Sequence, residues 1–285
     1  MNDVLIKFEN LINKQPLKAL HLIMKALNEE PNNYDYLMAL GNHFNNIQKF
    51  DEAIKYFERA QKIDVLDYKS SFAFGISLMN KSKFREAVKQ FDSVKDAYPE
   101  AYYNSALSYI RMNEVDKAIQ QARYLVDHEI LGKEALRLII DICIFSDDQK
   151  NKEIELEKYY EKYGKDDYYH FLKAREAYFD GMFLESAYHY SKISSGEIER
   201  YRYITEYADT LVKIKRYDKA LPLFQELILV DKPTEAILFQ YIEVLYQLKM
   251  YTEILDVLND YKSIIRNKAK ISEIRSKLHY KMHLE

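Results

Sequence analysis

Lys49-Phe50-Asp51-Glu52-Ala53-Ile54-Lys55-Tyr56-Phe57 returns in register as Lys83 to Phe91 and as Arg216 to Phe224. Each copy has an aromatic residue, a small residue three places on, and a second aromatic four places after that. Carried along the chain, the small place falls at Ala19, Ala53, Ala87, Ala118, Lys152, Ser186, Ala220 and Ile254, every step being 34 residues except the 31 before Ala118. The aromatic three places earlier recurs independently as Phe50, Phe84, Phe183, Tyr217 and Tyr251. A period of this length means an array of one supersecondary unit, each copy burying its apolar face against its neighbours.

Composition makes that unit helical. Six Gly and five Pro in 285 residues leave little turn chemistry, and helix formers are plentiful. The 42 basic and 45 acidic residues are interspersed, which argues against a surface dominated by phosphate neutralisation, so no nucleic-acid partner is expected. The one cysteine, Cys143, lies in the apolar run Leu138 to Phe145 and reads as a small buried hydrophobe. The N-terminus lacks the basic start and apolar core of a secretory signal, and no stretch reaches the ~18–20 apolar residues of a membrane span. A cytoplasmic protein with no direct membrane insertion is expected.

With Leu40-Gly41, Phe44, Ala53, Phe57 and Ala60 in one copy, and Phe74-Gly75, Leu78, Ala87, Phe91 and Pro99 in the next, the chain resembles the tetratricopeptide repeat family. The resemblance implies an all-α fold, a right-handed α-α superhelix or solenoid of about eight helical pairs plus a C-terminal capping helix. Gly or Ala in a first helix lets the second approach closely at its own small residue, and the aromatic fills the space beside that contact. Asp51, Asp116, Asp218 and Thr252 are expected to cap second helices, and Pro31, Pro99 and Pro233 to mark exits. Pro222 is expected within the first turn or so of its helix. Residues 1–131 form the N-terminal repeats and 132–165 a degenerate repeat, or a hinge around Ser146 to Asn151. Residues 166–265 form the C-terminal repeats, and 266–285 the cap, with Ile271, Ile274, Leu278 and Met282 on one face. The step of 31 implies a tighter turn around Tyr98-Pro99-Glu100.

Tests for an enzyme find nothing. There is no Gly-rich phosphate loop, no His-Glu-x-x-His, no paired cysteine ligands and no nucleophile elbow, so no catalytic residue, cofactor or metal is expected. His279 and His283 lie four apart with no further ligand in view, and read as a solvated helix face. His43 reads as a packed ring. Most of the 26 tyrosines stand at packing places.

The variable surface is the inner face of the first helices, where the resemblance places ligands. By register that face holds Met38 and Asn42, then Phe72, Ile76 and Met79, then Tyr103, Leu107, Ile110 and Arg111. Arg137, Arg175 and Tyr178 follow, and Phe239, Glu243 and Tyr246 stand in the last copy. Six apolar residues therefore occupy places that should be wet, which reads as a partner site. The competing reading is that neighbouring copies cover them. Arg111, Arg137 and Arg175 suit carboxylates or phosphate on a bound segment. The expected partner is a protein or peptide with apolar anchors and an acidic flank, bound by a non-catalytic scaffold. Two alternatives are a peptide-sensing regulator and an accessory repeat subunit of an enzyme, secretion or envelope-assembly complex. A carboxylate clamp built from Lys and Asn is disfavoured, because Met38 and Phe72 stand where Lys would be needed.

Overall fold

The computed structural model describes residues 3–64, 68–194, 200–230 and 233–282, which hold seventeen helices and no strand. The first four pairs are α1 (Asp3–Ile12) with α2 (Pro16–Glu29), α3 (Tyr34–Asn46) with α4 (Phe50–Gln61), α5 (Tyr68–Asn80) with α6 (Phe84–Asp92), and α7 (Glu100–Arg111) with α8 (Val115–Arg123). The next four are α9 (Gly132–Phe145) with α10 (Gln149–Tyr163), α11 (Asp167–Phe179) with α12 (Phe183–Tyr190), α13 (Arg200–Lys213) with α14 (Tyr217–Val230), and α15 (Glu235–Gln247) with α16 (Tyr251–Asp260). The last helix is α17 (Lys268–Met282). None is long and apolar enough to cross a membrane, among the described residues.

The chain divides into two compact units, residues 1–161 and 162–285. In the first, α2, α4, α6 and α8 each pack on the first helix that follows, and α1, α3, α5 and α7 touch in succession as a layer. In the second, α12, α14 and α16 do the same, and α11 touches α13. Leu278 of α17 is buried, with Ile271 and Ile274 packed beside it on the core of α13–α16.

The repeat ladder is a line of closest approach. Ala19, Ala53, Ala87, Ala118, Ser186, Ala220 and Ile254 are all fully buried, whereas Lys152 is half-buried. Opposite two of them the clearance is below one methyl group. A Cβ on Gly41 would stand 2.5 Å from Phe57 Cε1, and one on Gly75 2.6 Å from Phe91 Cε1. Both rings are fully buried and have no room to move aside.

The turn inside each repeat is closed by backbone rather than by side chains. Five places before the ladder residue, Gln48, Ser82, Asn113, Asp147, Gly181, Lys215 and Lys249 all adopt positive φ, between 56° and 75°. The next N–H then reaches back to the first helix: Lys49 to the Phe44 carbonyl at 2.8 Å, Lys83 to Leu78 at 2.9 Å, Glu114 to Tyr109 at 2.9 Å. Asp148, Met182, Arg216 and Met250 repeat the bond with Cys143, Ala177, Leu211 and Leu245. This is the Schellman closure, which satisfies carbonyls that the helix end leaves open.

That closure corrects the expected caps. α4, α8 and α16 are entered through Lys49, Glu114 and Met250, none of which makes a side-chain cap. Asp51, Asp116, Asp218 and Thr252 lie one residue inside their helices, where the three aspartates favour the positive end of the helix dipole instead. Side-chain caps belong to first helices: Asn33 accepts from Tyr36 N, Asp166 from Tyr169 N and Thr234 from Ile237 N. Pro222 is also deeper than expected, the sixth residue of α14. Between α6 and α7 the chain folds into successive turns, Tyr98 N–H reaching the Val94 carbonyl at 2.9 Å and Ala101 N–H the Tyr98 carbonyl at 2.9 Å.

The fifth copy is a helical pair, and its turn at Ser146 to Asn151 has the same closure as the others. Here an ion pair joins neighbouring repeats: Glu155, 2% exposed, accepts from Arg123 at 2.8 Å and Lys158 at 3.0 Å. His43 is a packed ring, edge-on to Phe8 and Phe44. Cys143 is buried, and burial pushes its thiol up.

In the sixth copy the contact between the two helices is titratable. His170 Nδ1 and His189 Nδ1 stand 2.9 Å apart with ring centroids at 5.2 Å, so the nitrogens point at one another along the line of centres. A proton can be shared there, but two imidazolium rings would present donors to each other. One repeat later the same two places hold buried Ile204 and Leu223. Burial holds both imidazoles below their ordinary range, and His170 lowers His189 further. Lys165, Lys173 and Lys192 act in the same sense, while Asp166, Asp167 and Glu185 oppose it.

Two outcomes follow from this packing. Gly41→Ala is expected to cost about 1–3 kcal/mol by overpacking, more than the ~1 kcal/mol of helix propensity it returns. Gly181→Ala is expected to cost only the ~1 kcal/mol of a left-handed alanine, since its Cβ would meet no atom within 4 Å. Urea unfolding of the two variants measures the difference. Second, depressed histidines bind protons less readily folded than unfolded, so their stability contribution is full above about pH 6.5 and is lost as pH falls through the folded values. The midpoint should therefore drop on acidification from about pH 7.5 to 5. Replacing the pair by His170→Ile with His189→Leu should flatten that drop, and an unchanged slope would exclude the pair as its source.

Candidate functional site

In the first unit the sequence-predicted face forms two matched columns. Phe72, Ile76 and Met79 on α5, and Tyr103, Leu107 and Ile110 on α7, stand at corresponding places on touching helices. All six are half-buried. The α5 column packs at the edge of the α4–α7 core, and the α7 column at the edge of the α7–α9 core. Phe72 stacks on Tyr98 at 5.1 Å between centroids, which fixes its ring inward on one side. Met38 is half-buried between two core clusters, and Asn42 is exposed beside it. Burial pushes the Tyr103 phenol up, with Asp141 and Glu134 adding to the effect.

Around these columns the polar residues are unevenly committed. Arg111 is exposed at the last turn of α7. Arg137 instead turns onto α10, its Nε donating to Tyr159 Oη at 2.8 Å with the guanidinium over that ring. Asn45 Oδ1 accepts from Ser77 Oγ at 3.0 Å and so ties α3 to α5. At the C-terminal end of α9, Ile144 is 39% and Phe145 69% exposed, so apolar surface continues beyond α7.

The second unit carries a different face. Arg175 Nε donates to both carboxylate oxygens of Glu206, at 3.1 and 3.2 Å, and its guanidinium lies over Phe171 and Phe179. Tyr190 Oη donates to Glu206 Oε2 at 2.6 Å. Tyr178 Oη donates to Asp209 Oδ2 at 2.6 Å, and Gln240 Nε2 to Asp209 Oδ1 at 2.7 Å. Burial and then the Asp209 bond push the Tyr178 phenol up to about 12. Arg175 and Tyr178 thus serve a rail of polar contacts running from α11 to α13 to α15. Sequence reasoning missed Glu206, Tyr190 and Gln240. For Glu206 and Gln240 the signal was present as complementary types 31 residues apart, about one turn short of the 34-residue repeat, whereas Tyr190 is 16 residues from Glu206 and shows no such spacing.

Phe239, Glu243 and Tyr246 meet Lys270, Ile274 and Lys277 of α17 in a cleft of about 920 Å³. The Lys270 ammonium sits 4.0 Å above the Phe239 ring. No group of three metal-ligating side chains occurs among the described residues, and His283 lies outside them.

Residues 14–64 and 72–129 match the family model described as Tetratricopeptide repeat. No curated protein matches the sequence. Among solved structures, a tetratricopeptide repeat protein from Parabacteroides merdae ATCC 43184 aligns with a TM-score of 0.54 at 17% identity, over 86% of this chain and 98% of that one. Pseudomonas aeruginosa pilF aligns at 0.53 and 15% identity, over 74% and 95%. A chain of the APC/C hetero-tetramer Cut9–Hcn1 aligns at 0.51 and 15% identity, over 96% and 55%. These likenesses carry the fold.

The polar rail has a measurable weight. Asp209→Ala leaves Tyr178 Oη and Gln240 Nε2 without their acceptor and is expected to destabilise the protein by about 1–3 kcal/mol. Asn42→Ala, on the exposed part of the first unit's face, is expected to stay within about 0.5 kcal/mol. Urea unfolding of each variant checks both values.

Proposed function

Because the chain carries tetratricopeptide repeats, with the same helical pair continuing beyond the matched residues, we propose that it is a non-catalytic scaffold that binds a partner protein or peptide on its first-helix layer. The observation that carries this reading is the pair of half-exposed apolar columns, Phe72, Ile76 and Met79 beside Tyr103, Leu107 and Ile110, where a soluble array would otherwise place polar side chains. A helix laid along them can present apolar residues one turn apart, matching the spacing of each column. Exposed Arg111 stands at one end and offers a two-pronged contact to a carboxylate on the bound segment. The partner is accordingly an amphipathic segment with apolar anchors and an acidic flank. Arg137 and Arg175 are anchored through Nε on Tyr159 and Glu206, which fixes each guanidinium beside the layer.

Display of random helical peptides tests the reading. Peptides selected on the wild-type protein should carry apolar residues at three- and four-residue spacing with Asp or Glu beyond one end. Ile76→Glu and Leu107→Glu should each weaken the selected peptides at least ~10-fold, the loss of about 1.4 kcal/mol. Helicity and unfolding midpoint, measured alongside, separate lost binding from lost fold. Undiminished binding by folded variants would refute the site.

A further inference from the structure

Charge in this chain is balanced except at its C-terminal helix. Residues 262–281 hold Lys262, Arg266, Lys268, Lys270, Arg275, Lys277 and Lys281 against the single acid Glu273, in a protein whose net charge is -3. Glu273 is taken by Lys277 at 2.6 Å. Elsewhere cations find partners on neighbouring repeats, as Lys81 does with Asp51 and Arg123 with Glu155. Lys268 and Arg275 are exposed and form no ion pair among the described residues.

Those two cations belong to a built surface. Lys268, Ile271, Ser272, Arg275, Ser276 and His279 line a shallow cleft of about 510 Å³. Their spacings of three and four place them along one side of α17, opposite the side that carries Lys270, Ile274 and Lys277. The stripe therefore offers two cations about two helical turns apart, with Ile271 as an apolar floor between them.

The width of the stripe selects its ligand. Next to α17, α16 carries the exposed acids Asp256 and Asp260. A nucleic-acid duplex or an anionic bilayer spreads negative charge over a broad surface and would meet those carboxylates as well. A single polypeptide segment would not. We propose that the outer side of α17 docks an acidic segment of a partner polypeptide. Its carboxylates lie two helical turns apart, matching the spacing of Lys268 and Arg275, with one held by both arms of Arg275 and the other by Lys268. This contact is separate from the apolar columns of the first unit and stands or falls independently of them.

The test is fluorescence anisotropy on the full chain with a labelled 16-residue helical peptide carrying glutamates two turns apart, and with a scrambled isomer of the same composition. The ordered peptide should bind more tightly than its isomer and weaken steeply with salt. Lys268→Glu with Arg275→Glu should lower affinity at least ~10-fold. Arg275→Lys, which keeps the charge and the fold but loses the two-pronged contact, should lower it several-fold. Lys262→Glu, off the stripe, should have little effect. Equal binding of the isomer, equal loss in Lys262→Glu, or tighter binding of duplex DNA or phosphatidylserine vesicles than of the peptide would each overturn the proposal.

Discussion

The clearance between the two helices of a repeat is the constraint on which this structure depends. At Gly41 and Gly75 the backbone of a first helix lies so close to Phe57 and Phe91 that a single added carbon would overlap the ring. The ladder residues opposite are buried without remainder. Because a helix has one side from which such an approach is possible, the contact fixes which face of each helix turns inward. It also fixes the turn: the second helix must begin within three or four residues of the end of the first, and the left-handed residue with its backbone closure achieves that. Stacking then follows, since each second helix presents its remaining apolar side to the next first helix.

With packing assigned to those places, the first-helix layer is left to vary, and the two units use it differently. The first unit fills it with apolar side chains that neighbouring helices cover only in part. The second fills it with a carboxylate rail in which Glu206 and Asp209 each take two or more donors. A charged residue on this layer is therefore no guide to a ligand until its neighbours are known. Arg175 holds the repeat place of Leu107 and Arg111 stands one turn further along its own helix, yet Arg175 is bound by Glu206 and Arg111 remains exposed.

The fold was legible because its decisive residues recur by type. Ala53 and Phe57 are repeated often enough for the period to show, and even Lys152 could be placed by the copies on either side. The left-handed turn was not legible. Gln48, Ser82, Asn113, Asp147, Lys215 and Lys249 share no side-chain chemistry, since the turn is held by backbone bonds and tolerates many residues. Expecting Asp51 and Asp116 to cap assumed that a helix begins from extended chain, whereas here it begins from the end of another helix. On the site, register placed the apolar columns and Arg111 on one layer. It could not show that Arg137 turns onto Tyr159, because that depends on where α10 lies.

The account rests on a division of labour in which the recurring residues pack and the variable ones bind. Methyl NMR of the full chain, titrated with a selected peptide, reads this directly. Perturbations centred on Met38, Ile76, Met79, Leu107 and Ile110, with Ala53 and Ala87 unmoved, are the predicted result. Perturbations centred on the second helices α4 and α6, or absent from α5 and α7 while the peptide is bound, would contradict it.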